Sequence, residues 1–153
     1  MENSFTHIRA ARAEDLNRIA EIEIFNYRLH FYPIFRSDAY YFDEKTVPNL
    51  TAFYAGEPGI VEHTAVFDDG VIKGFVRVNG GEIEKLFVEP VLQNCGIGGA
   101  LFRYAVETLG GRRLYVLEKN PRAIRFYERH GFHLTEHRKR VDDTSEFLIR
   151  MER

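Results

Sequence analysis

Residues 82–130 alternate in type: a β-prone run "EIEKLFV", an amphipathic run of helix length, a second β-prone run "RRLYVLE", and a second helical run that ends at Gly131. Two strands joined through a helix lie parallel, because the crossover returns the chain to the end it started from. Upstream, "HTAVF", "VIKGFVRV" and "EIEKLFV" are separated only by Asp69-Gly70 and Asn79-Gly80-Gly81, which supply the positive backbone angles of tight hairpin turns. A parallel pair must therefore be grafted onto an antiparallel meander. Pro90 ends that meander just past Val88 by removing a ladder donor. "FHLTEHRKR" and "SEFLIRM", joined by Asp142-Asp143-Thr144, read as a closing hairpin. The expected class is mixed α and β (α+β), a mostly antiparallel sheet with one parallel pair, flanked by about four helices.

The N-terminal third is expected to supply a short strand at Phe5 to Ala10 and a helix from Ala13 to about Tyr27. Leu16, Ile19, Ala20 and Tyr27 share one stripe of that helix, while Ile22, Ile24 and Phe25 fall off it, which points to burial on more than one side. A second helical region is expected from Ser37 to Tyr54, interrupted near Pro48. At 153 residues and 44% hydrophobic, the chain suits a single domain with one real core. Its formal charge of -2 is scattered along the sequence, which gives no footprint for nucleic acid. No run of about 18 apolar residues is present and "MENSFTHIRA" lacks the build of a signal peptide, so no membrane association and a cytoplasmic location are expected. Cys95 is the sole cysteine, which excludes an intrachain disulfide or a thiolate-based zinc site. No metal is expected.

The helix after Val88 opens on "QNCGIGGA", three glycines in four positions at Gly96, Gly98 and Gly99. Glycine weakens a helix, so the bare backbone must serve another end. A helix N-terminus carries free N–H groups and partial positive charge, and glycines let a phosphate reach them. A P-loop is excluded because no Gly-Lys-Ser/Thr follows. A dinucleotide fingerprint is excluded because position 101 is leucine and the strands upstream form hairpins.

The pattern that remains is Gln-x-x-Gly-x-Gly after a strand. "LFVEPVLQNCGIGGALF" resembles the acetyl-CoA signature of the GCN5-related N-acetyltransferase (GNAT) superfamily, and "LEKNPRAIRFYERHGF" resembles that family's second segment. The two span roughly residues 82–132. The resemblance implies one acetyltransferase domain over residues 1–153, with acceptor-side helices in 1–60 and an acetyl-CoA-binding core in 82–132. It also implies a sheet splayed between its fourth and fifth strands, with CoA in the gap. Gln93 opens the motif and is placed among the cofactor-binding residues, and backbone N–H groups of Asn94, Cys95, Gly96, Ile97, Gly98 and Gly99 would then cradle the pyrophosphate. The strand end at Leu86, Phe87 and Val88 would bond the peptide-like pantetheine arm. Asn120, Ala123 and Tyr127 share one helix face, and Phe126 is placed with them on the cofactor side.

The implied reaction transfers an acetyl group from acetyl-CoA to a primary amine of a small molecule or peptide by direct attack. Tyr127 would protonate the departing thiolate, and Glu82, Glu84 or a water chain would take the amine proton. Cys95 reads as a bystander. "FNYRLHFYPIF" would wall the acceptor pocket, with Arg28 or His30 available to clamp a carboxylate, unless Phe25, Phe31 and Phe35 are simply core. The alternative function is a non-catalytic module that senses acyl-CoA. A homodimer is left open by the sequence.

Overall fold

The computed structural model describes residues 5–153; residues 1–4, the start of the stretch read against a signal peptide, lie outside them. One sheet contains β1 (Ile8–Ala10), β2 (Thr64–Asp68), β3 (Ile72–Asn79), β4 (Glu82–Val88), β5 (Arg113–Leu117), β6 (His133–Arg140) and β7 (Phe147–Glu152). The strand order is β1-β2-β3-β4-β5-β7-β6. β4 and β5 run parallel and the other neighbouring pairs antiparallel, so the class read from the sequence holds. The last strand lies inside its predecessor, against β5. The burial explains this: Met151 of β7 is fully buried, whereas β6 exposes nearly every residue of "HLTEHRKR", the charged pattern of a protected edge strand.

The helices are α1 (Leu16–His30), α2 (Tyr32–Phe35), α3 (Val47–Ala55), α4 (Pro58–Glu62), α5 (Ile97–Glu107) and α6 (Pro121–Arg129). The helical region expected from Ser37 to Tyr54 divides into a wide turn at Ala39–Glu44 and α3. Pro48 does not interrupt α3; it sits in the first turn, where a missing N–H costs nothing, and Thr46 caps that turn by accepting from the Asn49 N–H. The short α2 and α4 carry no periodic apolar pattern long enough to read from sequence.

The sheet is covered on both faces. Leu101, Phe102 and Ala105 of α5 pack with Val76, Val78, Ile83, Leu114, Val116 and Met151 in one core. Leu16, Ile19 and Ile22 of α1 and Tyr54 of α3 pack with Val66 and Phe75 in the other. Ile22 and Ile24 are buried, as their place off the main stripe of α1 implied, but Phe25 is 38% exposed.

Two irregularities shape the centre of the sheet. β4 and β5 are joined by a single register pair, Glu82↔Arg113, beside which the Gly81 carbonyl accepts from the Arg112 and Arg113 N–H groups at 2.8 and 3.2 Å. Past that point the strands part, and the gap opens toward their C-terminal ends. The β3–β4 register then jumps from Arg77↔Lys85 to Val78↔Ile83, which leaves Glu84 as the extra residue of a β-bulge.

Because Met151 is fully buried opposite Leu134, which is 42% exposed, the two should respond very differently to truncation. Met151→Ala should cost about 2–5 kcal/mol in urea unfolding, whereas Leu134→Ala should cost under about 1 kcal/mol.

Candidate active site

α5 begins at the open end of the gap. Its first turn follows two left-handed residues, Asn94 (φ 67°) and Gly96 (φ 85°), and no side chain caps it. α3 and α6, by contrast, are capped by Thr46 and Asn120. The N–H groups of Ile97, Gly98 and Gly99 therefore stand at a positive helix end with no capping partner. Two guanidiniums lie there: Arg122 donates to Asn94 Oδ1 at 3.4 Å, and a Cβ on Gly99 would lie 3.3 Å from Arg103 Nη1, with His130 Nε2 at 3.6 Å. His30 also lies on this side, and its pKa is held low by burial and by the charge of Arg122.

Packing does not explain Gly98. A Cβ there would meet Val88 Cγ2 at 3.6 Å and Phe126 Cζ at 3.8 Å, ordinary contacts, and its backbone is not left-handed. Alanine would strengthen the helix by about 1 kcal/mol. The space between Val88, Phe126 and the bare Gly98 backbone thus suits a group that arrives from outside the fold.

Gln93 behaves differently from the loop residues that follow it. Its Nε2 donates to Asn26 Oδ1 at 3.0 Å, and Asn26, buried in α1, donates to the carbonyls of Val88 at 2.8 Å and Ile22 at 2.9 Å. The side chain of Gln93 thereby ties the glycine loop and the end of β4 to α1. Cys95 is exposed, with Sγ 3.8 Å from the Gln93 carbonyl.

Asn120 caps α6 by accepting from the Ala123 N–H at 3.2 Å. Ala123, Phe126 and Tyr127 pack against the same core as Leu86 and Val88. The Tyr127 ring lies 5.5 Å from that of Phe102, and burial pushes its phenol up to about 12, so it keeps its proton at neutral pH. Its hydroxyl has no hydrogen-bond partner among the described residues. Glu82 sits at the closed base of the gap. Glu84, on the bulge, is exposed and lies 3.4 Å from Arg77 Nε.

Sequence reading missed a buried polar cluster on the α1 face of the sheet. Glu23 is fully buried, and its carboxylate accepts from Tyr54 Oη at 2.5 Å and Lys45 Nζ at 2.7 Å, with Lys85 Nζ at 3.6 Å. Lys85 also donates to the Tyr27 hydroxyl, and both ammoniums lie against the Tyr27 ring, at 3.6 Å for Lys45 and 4.6 Å for Lys85. Burial opposes the charge on Glu23, but Lys85 and Lys45 outweigh it and hold the carboxyl below its usual range. The bulge explains the omission: strict alternation would put Lys85 opposite Glu84, whereas the extra residue brings Lys85 round to the α1 face.

The acetyltransferase (GNAT) family model matches residues 9–132, and the chain belongs to that family. Among curated relatives, the peptidyl-lysine N-acetyltransferase YjaB of Escherichia coli K12 is 34% identical over 70 residues, 46% of this chain and 47% of that protein. YiaC of the same organism, also named a peptidyl-lysine N-acetyltransferase, is 37% identical over 70 residues, 45% of this chain and 48% of that protein. The chain thus spans about half the length of the curated relatives it matches. Among solved structures, apo YjaB from E. coli superposes with a TM-score of 0.70 at 24% identity, covering 95% of each chain. The PaiA N-acetyltransferase of Thermoplasma acidophilum, in complex with coenzyme A, gives 0.73 at 21% identity over 95% of this chain and 98% of that one. These two structures share the fold.

Two measurements follow. Gly98→Ala should leave the melting temperature equal or higher while weakening CoA binding by calorimetry on the order of 10-fold or more, since a single lost charge-assisted hydrogen bond is worth that much. Glu23→Gln should cost about 2–4 kcal/mol at pH 7 because it leaves two half-buried ammoniums without their carboxylate. As its folded pKa is lowered, the contribution of Glu23 is present above the unfolded carboxyl value and disappears as pH falls through the folded one. Wild type and variant should therefore converge in acid, and denaturant midpoints across pH check it.

Proposed function

We propose that this chain is an acetyl-CoA-dependent N-acetyltransferase, acting on a primary amine of a small molecule or peptide by direct attack within a ternary complex. The observation that carries the reading is the uncapped, glycine-bared start of α5 at the mouth of a gap between parallel strands, with Tyr127 on the neighbouring helix. The family supports acetyl-CoA as the donor, and the names of the relatives support an amine as the acceptor.

The chain's own groups divide the work. N–H groups of the Asn94–Gly99 loop and the positive end of α5 hold the anionic part of the donor, and Arg122 and Arg103 add charge. The freed edge of β4 at Leu86, Phe87 and Val88 offers backbone groups to an amide-bearing chain and an N–H to polarise a thioester carbonyl. Tyr127, neutral and half-buried, supplies a proton to the sulfur. Glu84 stands one strand period further into the gap than Glu82, which remains beside the β5 pair, so Glu84 is the better placed base for the amine proton, directly or through water.

Tyr127→Phe should lower kcat and kcat/KM together by about 10²-fold while leaving acetyl-CoA affinity nearly unchanged. Glu84→Gln should flatten the acid limb of the pH–rate profile, and Glu82→Gln should leave it. Wild-type turnover by folded Tyr127→Phe with chemistry rate-limiting would remove the tyrosine from the mechanism. Tight acetyl-CoA binding with no amine-dependent thiol release would favour the sensing module instead.

A further inference from the structure

The α1 face of the gap has two walls of similar make-up. On the β4 side, Lys85 lies on the Tyr27 ring with its ammonium 6.0 Å from the ring of Phe87. On the β5 side, Tyr115 lies between Leu114 and Val116, which point into the α5 core, so its own side chain takes the opposite, α1 face. Lys139 of β6 sits on that ring, with Nζ 3.8 Å from the centroid. Counted along the two strands from Glu82↔Arg113, Tyr115 stands level with the Glu84–Lys85 bulge.

The charges on these walls do not balance. Lys45 and Lys85 share one carboxylate, Glu23, whose oxygens are also engaged by Tyr54. Glu84 is matched to Arg77, Glu118 to Arg138, and Glu146 to Lys119. Lys139 has no ion-pair partner among the described residues. Arg28 and His30, the clamps suggested by the sequence, are otherwise placed: Arg28 donates to the Tyr41 carbonyl and stacks on Phe42, and His30 faces Arg122. The α1 face of the gap is thus lined by Tyr27, Phe87 and Tyr115, and the ammoniums of Lys45, Lys85 and, reaching over β7, Lys139 outnumber the carboxylates of Glu23 and, at the base, Glu82, a setting less suited to a polycationic acceptor than to an anion.

We infer that the acceptor is an amine that also bears a carboxylate, of the amino-acid type, whose carboxylate is bound between Lys85 and Lys139 while Tyr27, Phe87 and Tyr115 flank its body. This rests on the acetyltransferase reading and narrows its acceptor. The tyrosines hold the ammoniums in place, so the subsite is built before the acceptor arrives. An internal lysine of a peptide has no such carboxylate and gains nothing from it.

The test uses matched acceptors that differ only in that group: phenylalanine against phenethylamine, and lysine against 1,5-diaminopentane, with a lysine-containing peptide capped at both ends as a third arm. kcat/KM should favour each amino acid by about 10- to 100-fold, the scale of a charge-assisted contact. Lys139→Met, at an exposed edge position, and Lys85→Met should each reduce that ratio by about 10-fold, mainly through the KM of the amino acid. Equal or better use of the diamine, the arylamine or the capped peptide would overturn the inference, as would a ratio unmoved by Lys139→Met. If no amine is acetylated, the catalytic reading fails separately. Calorimetry of phenylacetate against phenethylamine on the CoA-saturated protein then decides the subsite: tighter phenylacetate binding that is lost in Lys139→Met upholds it, and no difference ends it.

Discussion

One register pair, Glu82↔Arg113, holds two parallel strands together only at their base, and the rest of the site depends on that. Strands with unpaired backbone in the middle of a sheet are costly unless something pairs with them. Here the opening is held by what surrounds it rather than by the strands themselves. Arg113 anchors the base through the Gly80 carbonyl at 2.8 Å, and α5 fills one face with Leu101 and Phe102. At the open end Asn26 reaches from α1 to take the Val88 carbonyl and the Gln93 side chain together. A strand edge, a helix start and two covering helices are thereby fixed around one gap, which is what a long, amide-rich, anionic ligand requires.

The two faces of the gap are chemically distinct. The α5 side is mainly aromatic, with Phe102, Phe126 and Tyr127 packed ring against ring and the His130 ring set against Phe102 and Phe126. The α1 side is charged and buried at once. Glu23 is tolerated without exposure only because Tyr54, Lys45 and Lys85 converge on it, and such a cluster favours one arrangement of α1, α3 and β4 over looser packings. The same residues that fix the layer also set the charge of the acceptor face, so stability and selectivity are coupled there.

The strand–helix–strand order, the hairpin turns and the glycine run were legible because each is local: turn chemistry, periodicity and helix-terminal rules act over a few residues. The parallel pair and the family followed from them. What could not be read was set by contacts distant in sequence. The exchange of β6 and β7 is decided by which strand carries Met151, and Gln93 is drawn to Asn26, 67 residues away. Lys85 is hidden from the sequence because simple alternation turns it away from α1, and the bulge that brings it round is revealed only by pairing with Arg77 and Val78. Glu23 sits in a helix whose other charged residues are only half-buried, and nothing nearby in the chain announces its partners Lys45 and Tyr54.

Amide hydrogen exchange with and without acetyl-CoA tests the central claim most directly, since it reports the backbone groups themselves. Protection should rise at Leu86–Val88 and Asn94–Gly99, with little change at the buried amides of β2, β3 and β7, which are already paired. Added protection confined to the groove lined by Leu16, Thr51, Tyr54 and Val61, or none at the start of α5 under saturating ligand, would contradict the account.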